Sequence, residues 1–491
     1  MRALVDVAGL ERGSADRSAV EPEPGLNGRS IGYARGKVLG GCSSINAMIY
    51  MRGQRSDYDH WAALGNRGWG WDEVLPVFKR SEDYQHGADE FHGASGELRV
   101  EERRVSWEIL DAWRDAAAEC GIPKIAEFNR GDNFGNAYFQ VNQRRGVRWS
   151  ATKAFLRPVG HRPNLTIMTE AQVRRVIVES RDGKRRATGV ELHQADQHGR
   201  KIAARREVVL AAGTIGSPQI LQLSGVGPGA LLKDCGVEVV HDLPGVGANL
   251  HDHLQIRTIY KVSNTRTLNR RANSMFGKAA MALEYLFFRT GPLTMPPSQL
   301  GAFATSDASQ SAANLEWHVQ PLSLDKFGDP LHEFDAITPS VCNLQPTSRG
   351  HVRIVGDDAA AAPKITLNYL ATPEDRATAV AGVRFTRRIM AAKALARFAP
   401  EEWKPGSHLQ SYADLERAAG DLGTTIFHPV GTCRMGNDAL AVVNDELAVH
   451  GIERLRVVDA SIMPRITSGN TNAPTVMIAE KGAAAIRATR R

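Results

Sequence analysis

Two distant stretches of this 491-residue chain are built to the same plan, and that plan limits the fold more than any other feature. "REVVLAAGTIGSPQILQLSGVG", Arg206 to Gly227, reads as a short β-branched strand, a glycine-broken loop and then a helix. Ser217 and Pro218 supply an N-cap and first-turn pair, and Gly225 supplies a stop. "RLRVVDASIMPRITSGNTNAPTVMIAEKGAAAI", Arg454 to Ile486, repeats the order, with its helix opening at Pro474. Strand-to-helix crossovers of this kind belong to doubly wound α/β sheets, which bind ligands beyond the carboxyl ends of their strands. Gly213 occupies such an end.

The rest of the chain reads as modules around this sheet. From Ser56 to about Gly121 the apolar spacing is helical, through Trp61, Leu64, Val74, Leu75 and Phe78, then Leu110, Trp113 and Ala117. From Asn164 come short β-rich runs, "LTIMTE", "RRVIVES", "ATGVELH" and "REVVLAAG". Turn signals at Asp182-Gly183 and His198-Gly199 make these a meander. Residues 256 to 420 mix strands ("NLEWHVQPL", "HVRIV") with the helix "EDRATAVAGVRFTRRIMAAKAL". The organisation is therefore a first region 1–255, a separate sheet-and-helix α+β domain 256–422, and a return to the first region over 423–491.

Composition excludes several classes. Hydrophobic residues at 42% and charged residues at 23% are those of an ordered soluble chain. The net charge of +7 is mostly arginine and is dispersed in pairs such as Arg205-Arg206 and Arg387-Arg388, a solvated surface rather than a nucleic-acid groove. Cys42, Cys120, Cys235, Cys342 and Cys433 are odd in number and widely spaced, which argues against a disulfide framework and for a reducing cytoplasm. The apolar run Val208–Val226 is too interrupted to cross a membrane, although peripheral contact with one stays open.

Four stretches could carry chemistry. In "TTIFHPVGTCRMG", Pro429 pushes His428 out of the α region, so His428 ends a strand and enters a loop kept tight by Gly431. Such a histidine suits a general base with a pKa close to neutral, or equally a core histidine held by a backbone carbonyl. In "SGNTNAPT", Asn470 and Asn472 precede a helix whose first turn suits an anion, or they simply cap it. Cys433 with His428 and Asn472 has the residue types of a thiol hydrolase, but no helix N-terminus activates the thiol. "NLHDHL" aligns His251, Asp252 and His253 as metal ligands, without a further ligand cluster at metal-site spacing. The loop "RGKVLGGCSSINAMIY", Arg35 to Tyr50, suits close backbone approach to something large and flat. The strand and G-x-G-x-x-G turn that accompany such a loop do not occur in the residues before it.

Together "RGKVLGGCSSINAMIYMRG", "DYDHWAALGNRGWGWDEVLPVFKRSED", "AAGTIGSPQILQLSGVG", "LPGVGANLHDHL", "HPVGTCRMG" and "VVDASIMPRITSGNTNAPTVMIAEKGA" resemble the glucose–methanol–choline (GMC) oxidoreductases, from about Glu21 onward. Within that family the chain looks most like the choline-dehydrogenase and aliphatic-alcohol-dehydrogenase branch. The resemblance implies FAD, with Val38, Gly40 and Gly41 along its pyrophosphate and Asn46, Ala47, Met48 and Ile49 along its ring. It places Val173 at the adenine and Ala211 and Gly213 in the crossover. Asp459 and Ala460 fall at the pyrophosphate and ribityl chain, with Asn472, Pro474 and Thr475 near the pyrimidine edge. Ile45 stands where some members attach the flavin through a histidine, which implies non-covalent FAD. The resemblance further implies oxidation of a small alcohol to an aldehyde. His428 would take the hydroxyl proton, Asn472 would hold the oxygen, and a quinone, another carrier or oxygen would receive the electrons. Residues 1–20 do not resemble the family, so the expected FAD-binding domain lacks its first βαβ unit. Two alternatives follow: an inactive fragment unable to hold FAD, or a cyanohydrin lyase that binds flavin without cycling it.

Overall fold

The computed structural model describes residues 15–193, 199–295 and 298–489. Helices α1 (Arg55–Ala63), α2 (Trp71–Ser81) and α3 (Glu108–Glu119) fill the region read as helical, and Trp61, Val74, Phe78, Leu110 and Trp113 are buried on them. Residues 82–107 between them are largely irregular. Strand β1 (Gly135–Tyr138) follows.

The expected meander is an antiparallel sheet of β2 (Val173–Arg181), β3 (Lys184–Leu192) and β4 (Lys201–Ala203). Asp182 and Gly183 take φ of +52° and +73°, the paired left-handed turn that a two-residue hairpin requires. The second turn signal is only half seen, since His198 lies outside the described residues. "LTIMTE" forms no strand: residues 165–170 pair with nothing described, and Leu165, Ile167 and Met168 stay exposed.

The crossover is as expected in order but not in boundary. Strand β5 (Val208–Leu210) runs into α4 (Gly213–Leu223), so Ser217 and Pro218 lie inside the helix rather than at its start. A proline there frees the carbonyl four residues back, and Thr432 Oγ1 donates to that Thr214 oxygen at 2.6 Å. Ser217 instead donates to Asp459 Oδ2 at 2.6 Å, linking the two crossovers.

The second layer begins with β6 (Leu254–Arg257), β7 (Ile259–Lys261) and the exposed helix α5 (Met275–Phe288). Along α5 only Met281 is buried, while Phe276 is 90% exposed. Strands β8 (Leu300–Ala304), β9 (Leu315–Gln320) and β10 (Ala336–Asn343) lead to α6 (Pro373–Met390), β11 (Glu401–Lys404), α7 (Tyr412–Leu422) and β12 (Gly423–Thr425). The sheet has eight antiparallel strands in the order β11-β7-β10-β9-β8-β1, and β6 pairs with both β10 and β12. It therefore borrows β1 from the first region, and its edges straddle residues 255 and 422.

Strand β9 explains where this sheet faces. Leu315, Trp317 and Val319 alternate with Glu316, His318 and Gln320. The apolar set packs on α6, where Trp317 Nε1 donates to Thr386 Oγ1 at 2.8 Å and meets Phe385 edge-on. The polar set is buried as well. Polar side chains buried along an inner strand face the protein interior, the polar chamber of this sheet, and not solvent.

The chain closes with β13 (Leu455–Val457), parallel to β5, and α8 (Asn472–Ala488). The helix starts two residues before Pro474, and Thr471 is its N-cap, so neither Asn470 nor Asn472 caps it. No helix among the described residues is long and apolar enough to cross a membrane.

Candidate active site

The centre is assembled on one buried carboxylate. Asp252 Oδ1 accepts the backbone N–H of His253 (2.9 Å) and of His428 (2.8 Å). Its Oδ2 accepts the hydroxyls of Tyr33 (2.8 Å), Tyr369 (2.6 Å) and Thr425 (2.5 Å). Five donors satisfy a charge that burial would otherwise make expensive. Burial, reinforced by the Asp252 charge, raises both tyrosines well above their ordinary pKa, so they remain donors. Phe427 takes φ of +65°, with its N–H on Thr425 Oγ1, and the chain then delivers His428 into the chamber. Gly431 is tight as expected: a Cβ there would meet Asn249 O at 2.5 Å.

The hydrogen bonds fix which His428 nitrogen is free. A carbonyl only accepts, so the Leu344 oxygen, 3.1 Å from His253 Nε2, places the His253 proton on that nitrogen. Burial holds both histidines neutral by lowering their pKa values. His253 Nδ1 is then bare and accepts from His428 Nδ1, 3.1 Å away. His428 Nε2 is left as a lone pair, and Asn470 Nδ2 donates to it at 3.0 Å. The expected near-neutral pKa is corrected: burial first, then His253, His318 and Arg35, push His428 well below 6.5.

Asn470, not Asn472, therefore faces His428. The Asn472 side chain turns away and donates weakly to Asn142 Oδ1 at 3.4 Å. It lines a cleft with Asn46, Met48, Asn142, Trp149 and Val476. The opening loop and the start of α8 thus line one cleft. Asn46 Oδ1 accepts Met48 N–H at 2.9 Å, Met48 takes φ of +61°, and Ile49 is buried against Val141. Ala47 packs half-buried beside Ile49, while Val38 is exposed. Pro474 is buried, and Thr475 Oγ1 donates to Thr471 O at 2.7 Å.

A third group lies at the crossovers. Asp459 Oδ2 accepts Gly213 N–H at 2.9 Å, and its Oδ1 accepts Ser461 N–H at 2.9 Å. Its oxygens thus clasp the two crossovers together, with Ala460 opening the next turn. Ala211 is exposed and Val173 half-buried. Gly41 and Gly213 have φ of +54° and +78°, and a Cβ on either would meet nothing within 4 Å. Open backbone at Gly41 and at the start of α4, with an amide-lined cleft, fits a large, flat group carrying phosphates.

The remaining readings resolve differently. Cys433 is fully buried and its thiol pKa is pushed far up by burial, so it is no nucleophile. His251 spends its ring nitrogens on Asn249 O (2.7 Å) and Ile466 N–H (2.9 Å), so the His251-Asp252-His253 run points in three directions. Its side chains organise loops and the base. Sequence reasoning missed Asn470 as a partner of His428, and the roles of Asp252, His253, Tyr33 and Tyr369; "NLHDHL" was the visible signal for two of them.

Comparison with known proteins fits this arrangement. The GMC oxidoreductase family profile matches residues 4–255 with its N-terminal part and 346–479 with its C-terminal part. The match begins at residue 4, earlier than the resemblance read from the motifs. The chain is 40% identical to the alcohol dehydrogenase [acceptor] of Pseudomonas putida over 94% of this chain and 83% of that protein. It is 38% identical to the oxygen-dependent choline dehydrogenase of Brucella anthropi, with the same coverage of each. Among solved structures, pyridoxine 4-oxidase from Mesorbium loti superposes with a TM-score of 0.87 at 31% identity, covering 100% of this chain and 92% of that one. Formate oxidase from Aspergillus oryzae gives 0.89 at 25% identity, covering 99% and 90%.

Proposed function

This chain belongs to the GMC oxidoreductase family, an oxidoreductase family of FAD-containing flavoproteins, and on that footing we propose that it oxidises a primary alcohol to the aldehyde. The observation that carries the proposal is the unprotonated Nε2 of His428, buried and accepting from the Asn470 amide at 3.0 Å. A carbinol oxygen that took the place of this direct contact would donate its proton to His428 Nε2 and accept from Asn470 Nδ2 as negative charge develops. The neutral state of His428 leaves its lone pair available at neutral pH, and Asp252 holds the ring by its own backbone N–H. The resulting imidazolium would keep its Nδ1–H on His253. This reassigns the oxygen-holding role from Asn472 to Asn470.

FAD would be held along 40–49, at Gly213 and at the start of α8, and supplies the two-electron acceptor for the carbinol hydride. We propose that it is bound non-covalently, since Ile45 offers no nucleophile at the attaching position. The chamber face of the substrate sheet, whose body is 256–422, would shape the alcohol site, with 423–491 returning the base and the asparagine. A quinone, another carrier or oxygen would take the electrons onward. A cytoplasmic location accords with five free cysteines.

The test is rapid mixing of the FAD-loaded protein with primary alcohols. His428→Ala should slow bleaching of the flavin by roughly 10²–10⁴-fold while flavin content holds. Unchanged bleaching in that variant would remove His428 from the reaction.

A further inference from the structure

Arg257 is the anomaly of the chamber. It is 5% exposed, yet its Nε, Nη1 and Nη2 all lack a hydrogen-bond partner, and no carboxylate among the described residues pairs with it. Its guanidinium rests 4.6 Å from the ring centre of Phe327, a contact that leaves five N–H donors unmet. Burial pulls its pKa down to about 10, so it is still charged at neutral pH. A buried cation whose planar donors meet no acceptor in the protein is kept where something else brings one.

Its position says what that something is. Alternation along β6 puts Arg257 on the face of Gln255 and, just beyond the strand, of His253. Across the sheet its register partner is Ser340, whose own partner is His318. Ser340 Oγ is fully buried and also unpartnered. His318 lies close enough to influence the charge of both His253 and His428. The acidic group on this face, Glu316, is 3.2 Å from His318 Nε2, an ion-pair distance at angles poor for a hydrogen bond. Unmet donors at Arg257 and Ser340 thus lie on the same buried sheet face as His318 and His253, which contacts the base.

We infer that the substrate alcohol carries a carboxylate, bound by Arg257 and Ser340 while its carbinol end lies at His428 and Asn470. The inference rests on the alcohol-oxidation reading above and names its substrate class. Four residues of strand separate His253 from Arg257, about 13 Å of backbone. The carboxylate and hydroxyl must therefore be several carbons apart, as in a medium-chain ω-hydroxy acid and not an α-hydroxy acid. The carboxylate does not react; the planar guanidinium fork holds it and fixes the depth of the chain. Choline, with its quaternary ammonium, would add a further cation to a site that already feels Arg35 and the unpaired Arg257.

The experiment uses the FAD-loaded full chain with an artificial electron acceptor, comparing ω-hydroxyhexanoate with hexanol. The hydroxy acid should be favoured in kcat/KM by about 10²-fold or more, the discrimination expected of a site whose buried donors the analogue leaves unpaired. Arg257→Met should abolish that preference, and Arg257→Lys should restore part of it. Hexanoate should inhibit the wild-type protein competitively and hexanamide should not, a comparison that decides the matter even if Arg257→Met fails to fold. Equal turnover of both alcohols with no inhibition by hexanoate would overturn the inference and leave alcohol oxidation standing. Turnover of neither would instead refute the alcohol-oxidation reading, and this inference with it.

Discussion

The chain of hydrogen bonds from the Leu344 carbonyl to His428 makes a sharp prediction for His253→Phe. The substitution keeps a ring of similar size in a site that is 0% exposed but removes both nitrogens. His428 Nδ1–H then has no acceptor, and an unmet buried donor costs about 1–3 kcal/mol. That penalty falls only on the tautomer with a bare Nε2, the one able to take the substrate proton. At about 1.4 kcal/mol per decade, proton abstraction should slow roughly 5- to 150-fold. His253→Gln should recover most of the loss, because its amide oxygen can accept from His428 and its amide nitrogen can donate to Leu344 O. The assay is single-turnover reduction of the FAD-loaded protein by a saturating alcohol, with flavin content and thermal midpoint as controls. A His253→Phe protein that folds, binds flavin and reacts within twofold of wild type would refute the tautomer argument. A Gln variant no better than Phe would refute it equally.

Asn470→Ala should cut the reduction rate by on the order of 10²–10³-fold through loss of an oriented donor, whereas Asn472→Ala should cut it far less and act on flavin retention; equal losses in rapid mixing would undo the reassignment. Because His428 is held well below 6.5, the rate should be flat from about pH 6.5 upward and fall only in more acid solution, as the base is protonated. A limb centred at or above 6.5 would contradict that. His251, His253 and His428 are all lowered in the fold, so the stability they contribute is complete above 6.5 and is lost as pH falls through their depressed values, which denaturant titrations across pH would show. Asp459→Ala strands the Gly213 and Ser461 N–H groups and the Ser217 hydroxyl, and should lower unfolding free energy by about 2–4 kcal/mol. Phe276→Ser, at 90% exposure, should change it by no more than about 0.5 kcal/mol.

What the sequence made legible was local. The Asp182-Gly183 hairpin, the two crossovers, the loop at His428 and the glycine-broken opening stretch each carry their signal within a dozen residues. The proposed reassignment from Asn472 to Asn470 has a physical cause. Both lie at the mouth of α8, where each step along the chain turns the side-chain direction by about 100° once the helix begins. A difference of two residues decides between the chamber and the Asn142 cleft, and no pattern in N-x-N states where the turn starts. Ser217-Pro218 misled for a related reason: they form a sound N-cap pair in isolation, but a tertiary donor, Thr432, lets the proline sit inside the helix. The low His428 pKa and the unmet Arg257 donors were invisible, since both depend on what strands from distant segments bring alongside.

The five bonds of Asp252 also have a timetable. Its partners lie at Tyr33, His253, Tyr369, Thr425 and His428, so the carboxylate is held by segments far apart in the order of synthesis. At ordinary elongation rates of about 5–20 residues per second, Asp252 waits on the order of ten seconds or more on the ribosome before His428 exists. For that interval the nascent chain can collapse its early helices and hairpin but carries an acidic residue with only part of its retinue. The site around His428 is therefore completed only after Thr425 and His428 have been made, and a ribosome stalled short of Thr425 holds a chain whose Asp252 lacks two of its five donors.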